Sequence, residues 1–154
     1  MPVVEVITFI AAPPERVFDC VRDVSLHLRS MAPSGERVVS GRSSGLIEKG
    51  DTITWRARHF GIPWRMTVRV TALERPRWIQ DKMLRGPFDT FTHDHYIEPS
   101  ERGTRMHDVI AFRSPLQPVG RVADMLLVRR RVEHILRLRC DAVRAAAEQA
   151  VAAV

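Results

Sequence analysis

The 154-residue sequence contains almost no lysine and only two cysteines. Lys49 and Lys82 are its only lysines, so arginine supplies nearly all of the positive charge behind a formal net charge of +6. The arginines are scattered through almost every segment and accompany no nucleic-acid-binding motif, which argues against a specific nucleic-acid function. Cys20 and Cys140 lie among apolar helix residues, and we expect free, buried thiols in a reducing cytoplasm rather than a disulfide.

The sequence also lacks long apolar runs. None approaches the roughly 18 residues of a membrane-spanning helix, and the stretch MPVVEVITFI has neither a basic leader nor a small-residue cleavage site of a signal peptide. Hydrophobic residues make up 45% and charged residues 27% of the chain, which is ordinary for a soluble globular protein. A chain of this length can bury a core without disulfides, so we predict one domain over residues 1–154.

The spacing of the apolar residues changes twice along the chain. Alternation at residues 3–10 predicts a first strand, and helical spacing over residues 13–31 predicts two short helices. Five alternating segments separated by short turns follow between residues 51 and 114. Strands joined by short turns form an antiparallel sheet, because parallel neighbours need long crossovers. One side of these strands is apolar and the other is rich in arginine and threonine, so one face of the sheet is predicted to be buried.

Helical spacing returns from residue 118 to about residue 149. It predicts one helix of about 30 residues, on the order of 45 Å long. Its apolar stripe consists of Val122, Met125, Leu126, Val132, Leu136, Cys140, Val143 and Ala147. Only the inner face of the sheet offers enough apolar surface to cover this stripe.

Several segments resemble the START-like superfamily, which includes the polyketide cyclases and dehydratases and is also called the helix-grip fold. They are FIAAPPERVFD, HFGIPW, RGPFDTFTHDHYIEP, GTRMHDVIAFRSP and, at the start of the last helix, VGRVAD. The resemblance implies an α+β fold in which a curved antiparallel sheet of about six or seven strands wraps around the long C-terminal helix, with two short helices after the first strand. It also implies a cavity between sheet and helix that holds a lipid, a polyketide or another small apolar molecule.

Two histidines lie two residues apart in the segment FTHDHYIEP, so on a strand both point to the same face. In the next strand, alternation places Met106, Asp108, Ile110 and Phe112 on that face. A four-residue turn at residues 99–102 predicts that His93 lies opposite Asp108. A carboxylate on an apolar face is costly unless it is paired, so we expect Asp108 to bond one of the two histidines.

This cluster of His93, His95 and Asp108 has three interpretations. It has the chemistry of a zinc site to which His59 and Asp81 could contribute, or of an acid–base pair in which the aspartate orients a histidine. It also suits the polar lining of a ligand pocket. No nucleophile motif accompanies the cluster and its metal-ligand set is incomplete, so we predict no metal and no cofactor, and favour the pocket lining.

The function predicted from the sequence is therefore non-enzymatic binding of an apolar or amphipathic small molecule by a cytoplasmic monomer or homodimer. The alternative is a cyclase or dehydratase that uses the His/Asp pair. Arg129, inside the helix stripe, could reach a ligand carboxylate or Asp81, or extend outward over its own stem. His27 and Arg29 could line an opening covered by the Gly/Ser-rich residues 40–51. The predicted ligand-binding residues are Trp55, His59, Asp81, Met83, Phe88, Phe91, His93, His95, Met106, Asp108, Ile110, Phe112, Met125 and Arg129.

Overall fold

Seven antiparallel strands form one sheet in the computed structural model, which describes residues 1–115 and 123–153. The strands are β1 (Val3–Ile10), β2 (Arg37–Gly41), β3 (Thr52–His59), β4 (Ile62–Glu74), β5 (Trp78–Arg85), β6 (Thr90–Ser100) and β7 (Gly103–Arg113). Their order across the sheet is β1-β7-β6-β5-β4-β3-β2. Strands β2 to β7 therefore form a meander, and β1 extends it by pairing with β7, so that β1 and β2 are the two edge strands.

Three helical segments connect the two edges of the sheet. Helix α1 (Pro14–Arg22) and helix α2 (Val24–Ser30) follow β1, and a 3₁₀ turn (Ala32–Ser34) leads into β2. Pro14 suits the first turn of α1, where a backbone N–H has no helical partner. Asp23 separates the two helices, because its extended backbone ends α1 while its carboxylate accepts hydrogen bonds from the backbone N–H groups of Ser25 and Leu26.

The sheet curves around helix α3 (Ala123–Ala152), so the predicted α+β helix-grip fold is confirmed. Register shifts interrupt the pairing of β2 with β3 and of β4 with β5, and such bulges bend a strand and increase its twist. From α3, Leu136, Cys140, Val143 and Ala147 enter the same core as Val4 and Val6 of β1. Both cysteines are free and buried, as predicted. No helix within the two described ranges is long and apolar enough to cross a membrane.

The structure corrects two details of the sequence prediction and leaves a third outside the described residues. The edge strand β2 was not predicted as a strand. The predicted start of the last helix at residues 118–122, including Val122 of its stripe and most of the segment VGRVAD, lies outside the described residues. Met125 and Leu126 are 46% and 47% exposed, because they belong to the first turns of α3, whereas the buried part of the stripe begins further along the helix.

Candidate functional site

A cavity of about 220 Å³ lies between the inner face of the sheet and α3. Strands β3 to β7 supply one wall, α3 supplies the opposite wall, and residues of α1 and α2 also line it. Most of the lining is apolar, as in typical small-molecule sites. An apolar cavity of about 150 Å³ holds one benzene ring, so this cavity has room for a larger molecule.

The structure brings many of the predicted ligand-binding residues together on this wall. Those that line the cavity are Trp55, His59, Asp81, Phe88, Phe91, His93, His95 and Ile110. Met106, Asp108 and Phe112 share their inward orientation but lie behind the wall, where each is at most 2% exposed. Met83 is half-buried on β5 and is not part of the lining.

The two residues predicted from α3 do not reach the cavity. Met125 and Arg129 are exposed near the N-terminal end of the helix. The helix instead lines the cavity with Val128, Arg131, Val132, Ile135, Leu136 and Arg139. Helical periodicity gives the side of the helix on which a residue lies, but the position along the axis decides whether that residue meets the hollow.

The buried cluster forms at the β6–β7 hairpin, in a register that differs from the predicted one. β6 continues to Ser100 and pairs it with Gly103, so the connection is only two residues long, and His95 rather than His93 lies opposite Asp108. Both histidines nevertheless bond the same carboxylate oxygen. His95 donates from Nδ1 to Asp108 Oδ1 at 2.6 Å, and His93 donates from Nε2 to that oxygen at 3.1 Å.

Charge holds this cluster together against the cost of burial. Burial would lower the pKa of His95, but the negative charge of Asp108, its hydrogen bond and the nearby Asp81 outweigh this effect and raise that pKa to about 10. Burial would also raise the pKa of Asp108, but the positive charge of His95 and the two imidazole N–H donors hold it below its ordinary value. His95 is therefore an imidazolium and Asp108 a carboxylate at neutral pH.

Helix α3 closes the cluster from the other side. The Cys140 thiol donates to Asp108 Oδ2 across 3.5 Å. Burial, together with the negative charge of Asp108, raises the pKa of this thiol above its ordinary value. Cys140 is thus a neutral hydrogen-bond donor and not a nucleophile, because a nucleophilic cysteine requires an accessible thiolate.

Asp81, His93 and His95 could hold a metal ion. One ligand atom from each residue lies within 4.8 Å of the others, and His95 Nε2 is 3.7 Å from Asp81 Oδ1. These three side chains line the cavity, whereas Asp108 lies behind the two imidazoles.

A second polar cluster lines another part of the cavity, near β3. His27 of α2 bonds the carboxylate of Glu36 and stacks on Trp55, with ring centroids 4.1 Å apart. Arg131 of α3 donates to His59 Nδ1 at 3.3 Å. Burial and the charge of Arg131 lower the pKa of His59, against the opposing charge of Glu36, so this imidazole is neutral and accepts the bond.

The family of proteins described as "Polyketide cyclase / dehydrase and lipid transport" matches residues 1–148. The chain belongs to this family. The predicted START-like, polyketide cyclase–dehydratase resemblance is thereby confirmed. No curated protein sequence matches the chain.

Solved structures share the helix-grip fold of this family member at low sequence identity. The Zhui aromatase/cyclase from Streptomyces sp. R1128 is 18% identical, with a TM-score of 0.76 over 97% of this chain and 95% of that one. A START superfamily protein from Mycobacterium smegmatis is 16% identical, with a TM-score of 0.71 over 96% and 97%. A protein from Thermus thermophilus is 22% identical, with a TM-score of 0.73 over 94% and 99%. Likenesses at these identities show the fold alone.

Among the cavity residues of this family member that the sequence prediction missed are the charged residues Arg131, Arg139 and Glu36. Arg131 and Arg139 lie on the same helix face as the apolar residues between them, but their charge made them resemble an ordinary solvated surface. Glu36 precedes the unpredicted strand β2, and nothing in its neighbourhood indicates an inward side chain. His27 lines the cavity as predicted, whereas Arg29 is exposed.

Proposed function

We propose that this protein, as a single ligand-binding domain in the cytoplasm, binds an apolar or amphipathic small molecule of the lipid or polyketide kind between the sheet and α3. The observation that carries this proposal is a hollow with apolar walls in which His93, His95 and Asp81 form a largely buried polar patch. Apolar walls with a few convergent polar groups are typical of small-molecule sites. The membership in a family of cyclases, dehydrases and lipid transporters supports the same class of ligand.

The polar end of the ligand contacts the histidines in this proposal. Asp108 engages one nitrogen of each imidazole, so His93 Nδ1 and His95 Nε2 are the ring atoms left for other partners. The protonated His95 Nε2 can donate to a ligand oxygen in addition to its contact with Asp81 Oδ1. A ligand carbonyl or hydroxyl group would thereby be oriented while the rest of the molecule displaces water from the apolar wall.

Filling the cavity should abolish ligand retention. Val68 lies on the interior strand β4 and lines the hollow, so we expect Val68→Trp to occupy the space that the ligand needs. Purified protein would be exposed to a bacterial lipid extract, washed and denatured, and the released molecules identified by mass spectrometry. The wild-type protein should release a defined small molecule, and Val68→Trp at least tenfold less.

Val109→Trp is the matched control, because Val109 alternates with the inward residues Asp108 and Ile110 and so faces away from the cavity. This variant adds the same side chain to the sheet but should retain the ligand. If wild-type protein retains nothing, or if both tryptophan variants lose ligand equally, cavity binding is contradicted.

The buried imidazole–carboxylate pair also favours a second function, a cyclase or dehydrase that moves protons on a carbonyl substrate. His93→Gln and His95→Asn keep an N–H donor near the positions of the imidazole donors to Asp108 but cannot exchange a proton. With a synthetic poly-β-ketone thioester as substrate, an enzyme should lose its cyclised or dehydrated product in these variants while still retaining the substrate analogue. No product with wild-type protein, or variants that lose only affinity, would leave binding as the function.

A further inference from the structure

We propose that Asp81, His93 and His95 bind a divalent transition-metal ion, zinc or ferrous iron, at the wall of the cavity. Two imidazoles and one carboxylate, each with a ligand atom within 4.8 Å of the others, come from the adjacent strands β5 and β6. Zinc holds nitrogen and oxygen ligands at about 2.0–2.2 Å, so small side-chain rotations would bring all three onto one ion. This inference goes beyond ligand binding, which requires no metal.

The strongest support comes from the residue behind the histidines. Histidines that bind metals almost always donate their second ring N–H to a carboxylate, a carbonyl or water, which fixes the ring and its tautomer. Asp108 accepts such a bond from each histidine, at 2.6 Å from His95 Nδ1 and 3.1 Å from His93 Nε2. The other nitrogens, His93 Nδ1 and His95 Nε2, are then the metal-binding atoms. The second of these already lies 3.7 Å from Asp81 Oδ1, and it releases its proton to solvent when the ion binds.

The surroundings favour an open site over a closed structural one. Three protein ligands leave further coordination positions, as in catalytic zinc sites and in the iron sites formed by two histidines and one carboxylate. All three residues line the cavity, so the remaining positions face the hollow. A ligand oxygen or a water molecule could therefore complete the coordination.

The chain provides a matched control in a second histidine–carboxylate pair. His107 of β7 bonds Glu5 of β1 at 2.8 Å, but the pair is partly exposed and belongs to no group of three candidate ligands among the described residues. Both groups therefore contain a histidine near a carboxylate. Of the two, only the cavity group also has a third candidate ligand and a further carboxylate, Asp108, that bonds the second nitrogen of each imidazole.

Cobalt and zinc would test the site directly. Full-length protein is treated with a chelator, dialysed, and titrated with cobalt chloride while the visible absorption is followed, and zinc chloride is titrated by calorimetry. We expect one ion per chain and a d–d band, with at least 100-fold weaker binding in Asp81→Asn and His93→Ala, about 10- to 100-fold weaker binding in Asp108→Asn, and no change in His107→Ala.

Two outcomes would overturn the proposal: no saturable binding of zinc or cobalt at micromolar concentrations, or equal binding by Asp81→Asn and His107→Ala. Asp81 is only partly buried, so its variant remains informative if the buried histidine variants fail to fold. Ligand retention by the chelator-treated protein is measured separately, so a negative metal result leaves the proposed ligand-binding function standing.

Discussion

Replacing Asp108 with asparagine should lower the free energy of unfolding by about 3–5 kcal/mol, the usual loss when one partner of a buried ion pair is removed. The side chain is only 3% exposed and accepts hydrogen bonds from His93, His95 and Cys140. Asparagine has nearly the same shape but no charge, so the imidazolium of His95 would lose its main counter-ion inside the protein. Urea unfolding of metal-free protein at pH 6, followed by circular dichroism, measures the loss.

The control for this substitution is Glu5→Gln. Glu5 accepts from His107 at 2.8 Å, but its side chain is 57% exposed. Surface ion pairs contribute about 0–1 kcal/mol, so this variant should unfold almost like the wild-type protein. Equal effects of the two substitutions would show that burial does not strengthen the Asp108 cluster.

Much of this cluster follows from the period of a strand. Because alternate residues share a face, His93, His95 and Asp108 had to lie on the same side as Ile110 and Phe112 once that side was buried. The pairing across the hairpin did not follow. It depends on whether the chain turns within four residues or two, and the segment PSERG is compatible with both, since Gly103 permits the backbone angle of +138° that the shorter turn adopts here.

The far side of the cavity was less predictable than the sheet. Helical spacing correctly placed Leu136 and Cys140 against the core, but it cannot show where the sheet leaves a hollow. Arg129 and Arg131 belong to the same run of three arginines, yet only Arg131 lines the cavity. A hollow is a property of how the curved sheet and the helix meet, and no local pattern in the sequence encodes it.

Raising the pH from 6.5 to 8.5 should destabilise the metal-free protein, because the buried His95 holds its proton more tightly in the folded chain than in the unfolded chain. His95 has an ordinary pKa of 6.5 and a folded-state pKa of about 10. Over this interval the unfolded chain releases the His95 proton while the folded chain keeps it. The stability gained from this group is therefore complete below pH 6.5 and is lost progressively as the pH rises toward 10, by up to about 1.4 kcal/mol per pH unit.

Asp108 has the opposite sign and a separate pH range. Its folded-state pKa is held below the ordinary 3.8, so its contribution is complete above that value and is lost only as the pH falls further.

The groups facing His95 are Asp108 of β7, Asp81 of β5, His93 of β6 and, behind Asp108, Cys140 of α3. A cysteine has an ordinary pKa of about 8.5, and burial raises the pKa of both Cys20 and Cys140 in the folded protein. Thiol ionisation in the unfolded chain therefore adds to the decline in stability at the upper end of the series.

Asp108→Asn removes the main charge that raises the pKa of His95, so the decline in stability between pH 6.5 and 8.5 should become much shallower in this variant. Glu5→Gln should keep the wild-type slope. Urea unfolding at half-unit pH steps in the presence of a chelator provides the comparison. A wild-type stability that is flat over this interval would mean that the folded protein releases the His95 proton as readily as the unfolded chain, and the buried charge pair would then not exist.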